Sequence, residues 1–258
     1  MTVRFELKDG VARVTIDRPD RMNAVDRATE AELMAIWERV ENDRSVRVLI
    51  LTGSGERAFS TGADMKAGGG MTGLEYWAAA RPGGFGGIAL RDTLDVPVIA
   101  RVNGHALGGG FEMVLGCDIV VAAENATFGL PEPRVGRLAL DGGIALLSQR
   151  IPHALAMGIL LTGRRIAAAE ALRLGLVNEV AAPAELDAAV GRWVAEILAC
   201  APLSVRAIKQ MVRAGVGLTP QQAQALRTPA LIEALQCADQ DEGVKAFQEK
   251  RAPVWKGA

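Results

Sequence analysis

Aromatic residues make up only 4% of this 258-residue chain, and it has just two histidines and three cysteines. Each scarcity excludes something. Cys117, Cys200 and Cys237 are odd in number and far apart, which suits neither a disulfide framework nor a zinc site and favours a reducing compartment. His105 and His153 are too few and too dispersed for a histidine metal site or a catalytic triad. Neither sign of charge is in excess: 29 Lys and Arg against 30 Asp and Glu leave a formal net charge of −1, without the footprint of a nucleic-acid or anionic-membrane binder. No apolar run approaches membrane-spanning length, and Val3 to Leu7 enters strand-like sequence without a charged leader. The expectation is a soluble, cytoplasmic protein that engages neither nucleic acid nor membrane.

Apolar residues and glycine are plentiful. With 50% hydrophobic residues the chain can bury a full core. Alternation in Val3–Leu7 and Val11–Ile16 around Asp9-Gly10 predicts a hairpin. A helix follows, with Thr29 and Glu32 spaced for a capping box and Leu33, Ile36, Trp37 and Val40 at helical period. Val46–Leu51 and Val96–Val102 read as strands buried on both faces, followed by a helix near Gly108–Gly116 and further strands at Asp118–Ala122 and Leu176–Val180. Thr127–Gly129 reads as a short extended piece. Ala58–Lys66 reads as a small-residue loop, and Gly68–Gly70 and Pro82–Gly87 bracket an irregular, mobile segment. From Pro183 the pattern is purely helical. The organisation is α/β, a sheet-based core over 1–182 and a helical region over 183–258.

Asn103–Glu112, NGHALGGGFE, joins a predicted strand to a helix through three glycines. Glycine permits close approach of a ligand to the backbone, and the first N–H groups of a helix lack intrahelical partners and favour negative charge. Gly109 and the Gly62-Ala63 loop can each present a free N–H, and two such donors converging form an oxyanion hole. Glu112 and Glu132 are the acid/base candidates. Two carboxylates around one water do not both ionise easily, so the pair can hold an acid and a base near neutral pH. Each element also has a plain reading. A glycine turn can be only structural, a glutamate in a first helical turn can simply complement the dipole, and Glu132 can be a solvated loop residue stiffened by Pro131 and Pro133 against helix. Arg21, Lys66, Lys250 and Arg251 can contact phosphates or be solvated, and Asp141 before Gly142-Gly143 reads as a helix N-cap or a third carboxylate of the site. Spacing alone leaves these alternatives open.

In combination, FSTGADMK (Phe59–Lys66), PVIARVNGHALGGGFE (Pro97–Glu112), FGLPEPRVG (Phe128–Gly136), LLTGRRIAAAEALRLGLVNEV (Leu160–Val180) and FQEKRAPVWKG (Phe247–Gly257) resemble the enoyl-CoA hydratase/isomerase family, also called the crotonase family. The resemblance runs in order along the whole chain. It implies a spiral of ββα units with a C-terminal helical region that forms trimers, often a dimer of trimers. It also implies an acyl-CoA thioester substrate and no cofactor beyond the coenzyme A of that substrate. By motif position, Ala63 and Gly109 look like the oxyanion-hole donors, and Glu112 and Glu132 fall on the two glutamate positions of the hydratases. Arg21, Met22, Ala63, Asp64, Met65, Lys66, Gly108 and Gly109 look like contacts to the acyl-CoA.

The reaction implied is reversible addition of water across C2–C3 of a trans-2-enoyl-CoA. One stretch departs from the family pattern: Leu138–Gly143 places Asp141 and added bulk near the acyl pocket, where Asp141 would contact the substrate. The Gly110-Phe111-Glu112 motif and the Pro253–Gly257 ending also look like carnitinyl-CoA dehydratases, whose acyl group bears a trimethylammonium that Asp141 could face. An isomerase or hydrolase using Glu132 and Asp141 is a further alternative within the family. Outside enzymology, the alternative is a non-catalytic oligomeric scaffold or an RNA-binding member, against which both glutamates and the balanced charge speak.

Overall fold

The computed structural model describes residues 1–66 and 72–258. Strands β1 (Val3–Lys8) and β2 (Val11–Ile16) form the expected antiparallel hairpin, with Val3 opposite Ile16. Helix α1 (Arg27–Asn42) follows and turns Leu33, Trp37 and Val40 inward. Its cap differs from expectation. Asp26, in extended conformation, accepts the Thr29 N–H at 2.8 Å, while Glu32 reaches back to the chain start and accepts the N–H groups of Thr2 and Val3 at 2.8 and 2.9 Å. The spacing of Thr29 and Glu32 imitates a capping box, but the helix begins one turn earlier on an equally good oxygen acceptor.

Strand β3 (Val48–Gly53) is buried at all six positions, as its continuous apolar run predicts. Strand β4 (Ala58–Ser60) and helix α2 (Gly73–Ala78) come next. The expected irregular segment falls in two parts. The glycines at 68–70 lie outside the described residues, whereas 82–87 is ordered: Phe85, Gly86 and Gly87 are buried, and the Trp37 indole donates to the Gly86 carbonyl at 2.8 Å. Strands β5 (Val98–Val102) and β6 (His105–Leu107) lead into helix α3 (Gly109–Gly116). Strands β7 (Ile119–Ala123) and β8 (Thr127–Gly129) lead into a 3-10 turn over Glu132–Val135, and then into helices α4 (Gly143–Arg150) and α5 (His153–Thr162). Strand β9 (Arg165–Ala167), helix α6 (Ala168–Arg173) and strand β10 (Glu179–Ala181) complete the core.

Two sheets result. The larger has order β1-β2-β3-β5-β7-β10 and is parallel except for the hairpin; the smaller has order β4-β6-β8-β9, with only β9 antiparallel. Each coil of the chain adds one strand to the large sheet, one to the small sheet and a helix, giving the ββα spiral. Between the sheets and helices lies the main core, which includes Leu49, Leu51, Phe59, Phe111 and Phe128. Beyond Pro183, helix α7 (Leu186–Leu198) packs Leu186, Ala189 and Val190 on the opposite face of the large sheet, against Val48, Ile50, Ile99 and Val121. Helices α8 (Pro202–Ala214), α9 (Pro220–Gln224), α10 (Pro229–Gln236) and α11 (Asp239–Gln248) form the helical end. Lys209 of α8 anchors it, donating to the Val96 carbonyl at 2.6 Å and to Asp118 at 2.5 Å. No single helix among the described residues is long and apolar enough to cross a membrane.

Candidate active site

The three coils bring their strand-to-helix connections to one place, around a cavity of about 900 Å³. It is lined among others by Ala63, Gly108, Gly109, Glu112, Glu132 and Asp141, and by Val25, Phe85, Val135 and Leu140 on its apolar parts. The first connection is held by Arg18, whose guanidinium pairs with both Asp26 and Asp64 at 2.9 Å and donates to the Ala24 carbonyl. Val25 then bridges to this loop: its N–H donates to the Gly62 carbonyl at 2.8 Å, and its carbonyl accepts the Asp64 N–H at 2.9 Å. Because bonds alternate in direction along an extended chain, the N–H of Ala63 between them faces away from Val25.

The second connection is the glycine turn. Gly108 has φ +55°, a conformation that suits glycine, and its N–H is tied to the Gly129 carbonyl at 2.9 Å. Gly109 begins α3, so its N–H lies at the unpaired, positive end of the helix. The two connections touch: a Cβ added to Gly62 would lie 2.8 Å from the Gly109 nitrogen. Donors from both loops therefore border one space.

Glu112 lies one turn along α3 and is only 3% exposed. One of its oxygens accepts the Gly143 N–H at 2.9 Å. Burial raises its pKa from the ordinary 4.5 to about 7, helped by the nearby charges of Asp141 and Glu132 and opposed by the backbone N–H donors of Gly143 and Asp141. The third connection supplies Glu132. Pro131 and Pro133 do not prevent helical geometry here: a 3-10 turn starts at Glu132, where proline's fixed φ and missing N–H are tolerated at a first turn. Burial also raises the Glu132 pKa, and its Oε2 is buried without a hydrogen-bond partner among the described residues. Its Oε1 lies 2.9 Å from where a Cβ on Gly108 would be, so the glycine turn leaves the space this carboxyl occupies. The cavity thus holds two protonatable carboxyls, neither with a cation as partner among the described residues, beside two backbone donors.

The remaining candidate residues are placed unevenly. Asp64 and Met65 line the cavity, though the Asp64 carboxylate is engaged by Arg18 and by the Lys66 N–H. Arg21, Met22 and Lys66 do not line it. Arg21 is exposed on a 3-10 turn, and the Met22 carbonyl accepts the Thr61 N–H at 3.2 Å, fixing the loop before Ala63. Asp141 is not the N-cap of α4, since Gly142 occupies that position without a side-chain cap. Nor is its carboxylate free. The Tyr76 hydroxyl donates to it, and Arg81, which also pairs with Glu30, approaches within 3.4 Å. Tyr76, Arg81 and Glu30 line the cavity and were not indicated by any sequence pattern; the only signal was that Tyr76 is the sole tyrosine of the chain. His105 bonds to Thr127 at 2.7 Å, away from the cavity lining. Among the described residues no group of three or more His, Cys, Asp or Glu side chains forms a metal site.

Known proteins resemble this chain in sequence and fold. Residues 6–258 match the Enoyl-CoA hydratase/isomerase family model. The chain is 42% identical to (E)-benzylidenesuccinyl-CoA hydratase of Thauera aromatica over the full length of both, and 39% identical to carnitinyl-CoA dehydratase of Escherichia coli (strain K12) over 96% of this chain and 95% of that one. Among solved structures, an enoyl-CoA hydratase from Bacillus anthracis superposes with a TM-score of 0.91 at 31% identity, each chain covered completely. An enoyl-CoA hydratase from Mycobacterium tuberculosis H37Rv superposes with a TM-score of 0.89 at 36% identity, covering 100% of this chain and 99% of that one. The three ββα coils, the glycine turn and the two glutamates thus sit in a chain that belongs to the enoyl-CoA hydratase/isomerase family.

Proposed function

We propose that this chain is a hydro-lyase that adds water reversibly across the C2–C3 double bond of a trans-2-enoyl-CoA. The observation that carries the reading is a pair of carboxyls, buried Glu112 and half-buried Glu132, with no cation partner among the described residues, beside the N–H groups of Ala63 and Gly109 in one cavity. The thioester oxygen accepts from the two N–H groups, which hold the charge that moves onto it as the enolate forms; each such donor is worth roughly 3 kcal/mol in the transition state. A water held between the glutamates gives a proton to one of them while its oxygen bonds to C3. Glu132 delivers a proton to C2, so the elements of one water are added and the two carboxyls re-equilibrate their proton afterwards. Dehydration of a β-hydroxyacyl-CoA is the same path reversed.

Asp141 shapes the acyl end of the cavity. Its charge is already met by Tyr76 and Arg81, which argues against a trimethylammonium acyl group held there and against Asp141 as a nucleophile or base. The helical end supports self-association: Ile208, Val212, Leu235 and Phe247 are large apolar residues left exposed, Phe247 at 85%, and a homotrimer or dimer of trimers would cover them. Three cysteines without a disulfide fit a reducing, cytoplasmic setting.

The test is a turnover screen across straight-chain, branched, aryl and trimethylammonium-bearing enoyl-CoA thioesters, following loss of the conjugated thioester absorbance. Turnover of at least one neutral substrate is expected. Absence of turnover with every conjugated thioester would overturn the reading.

A further inference from the structure

Part of the cavity wall is built from an ion cluster that the reaction does not use directly. Helix α2 buries none of its residues, and its large apolar side chains Leu74 and Trp77 are exposed, so it has no buried apolar face to hold its place. Polar contacts do this instead. The Tyr76 hydroxyl donates to Asp141 Oδ2, Arg81 Nε lies 3.4 Å from Asp141 Oδ1, and the guanidinium pairs with Glu30 and stands 4.6 Å from the centre of the Tyr76 ring. Backbone packing adds to the hold, since a Cβ on Gly84 would lie 2.6 Å from the Asp141 carbonyl oxygen. Asp141 itself is 7% exposed.

Two residues beyond Asp141, the Gly143 N–H donates to Glu112 at 2.9 Å. The fit there is tight: a Cβ on Gly143 would meet Ala139 at 2.7 Å and the bonded Glu112 oxygen at 3.1 Å. Gly142 between them has φ +128°, a conformation that L side chains rarely adopt. The short 141–143 turn therefore has little freedom, and displacing its first residue displaces the donor at its third.

We propose that Tyr76 and Arg81 are positioning residues which, by clamping Asp141, fix the 141–143 turn and so set the Gly143 N–H on Glu112. The catalytic consequence rests on the hydratase reading above; the structural coupling does not. The charged and titratable groups involved are Asp141 and Glu132 facing Glu112, Tyr76 and Arg81 facing Asp141, and Glu30 facing Arg81. The phenol O–H satisfies part of the charge on Asp141, and the clamp keeps an N–H on the ionised form of Glu112. Loss of Tyr76's hydroxyl should therefore make Glu112 harder to ionise. Loss of Asp141's charge should make it easier.

The experiment is an infrared pH titration of the Glu112 carboxyl in the full-length protein, assigned by difference against Glu112→Gln. Tyr76→Phe should move the titration to higher pH and Asp141→Asn to lower pH. Loosened packing that merely admitted water would move both to lower pH. In turnover, Tyr76→Phe should lose about tenfold in kcat while its affinity for the unreactive butyryl-CoA stays within about threefold of wild type. A Tyr76→Phe titration unchanged or shifted to lower pH, or undiminished kcat in a wild-type enzyme that hydrates acyl-CoA, would overturn the proposal. If the wild type turned over no acyl-CoA, the hydratase reading would fail while the titration would still decide the coupling.

Discussion

Two sets of carboxyls line the same cavity and meet opposite fates. Glu112 is buried and Glu132 half-buried, neither has a cation beside it among the described residues, and burial pushes both toward the protonated form. Asp141 and Glu30 share Arg81, and Asp141 also holds the Tyr76 hydroxyl. Burial without a partner favours the protonated carboxyl and suits it to exchange a proton, whereas a carboxyl bonded to a guanidinium is tied into the wall. In the proposed reaction, this difference separates the proton-transferring groups from the scaffold within one pocket.

Removing either carboxyl of the first set should cost the most. Glu112→Gln and Glu132→Gln should each lower hydration about a thousandfold in single-turnover assays, within the usual contribution of a positioned acid or base. Crowding that set without removing it should cost less. Gly108→Ala introduces a Cβ 2.9 Å from Glu132 Oε1 at φ +55°, and a loss of about 10- to 100-fold in kcat is expected from the displaced carboxyl. Neutralising the second set should cost less still. Asp141→Asn should lose no more than about tenfold with a neutral enoyl-CoA, because it alters a brace and leaves both proton-transferring groups in place.

The same contrast predicts a stability effect of opposite sign to the catalytic one. Folding raises the Glu112 pKa from 4.5 to about 7, so its contribution to stability is full below pH 4.5 and is lost as pH rises to about 7. At pH 8, Glu112→Gln should therefore be more stable than wild type by up to about 3 kcal/mol in urea unfolding, an advantage that disappears near pH 4. An equal difference at both pH values would show that the carboxyl is not held protonated by burial.

Much of this layout is legible in the chain. Strands β3, β5 and β7 announce themselves as continuous apolar runs because both faces of the large sheet are covered, by the main core on one side and α7 on the other. Strands β4, β6 and β9 are three residues long and exist through pairing, β4 with β6 and both β6 and β9 with β8, which no local pattern reveals. The glycine turn and the two glutamates are legible only in combination with the motifs around them. Asp26 outcompetes Thr29 as a cap because of where the chain enters α1, a matter of backbone path rather than composition. The Tyr76–Asp141 contact spans 65 residues and joins side chains with no periodic signature, so only the folded arrangement exposes it.

In the proposed reaction, Glu132 exchanges a proton with C2 of a thioester whose oxygen is held by Ala63 and Gly109. The most direct test is exchange of the C2 protons of a saturated acyl-CoA with deuterated solvent, followed by NMR, because exchange requires the enolate and the acid/base group but no water addition. Wild type should exchange, Glu112→Gln should keep most of the rate, and Glu132→Gln should lose at least about a hundredfold. Exchange by Glu132→Gln at the wild-type rate would contradict the account.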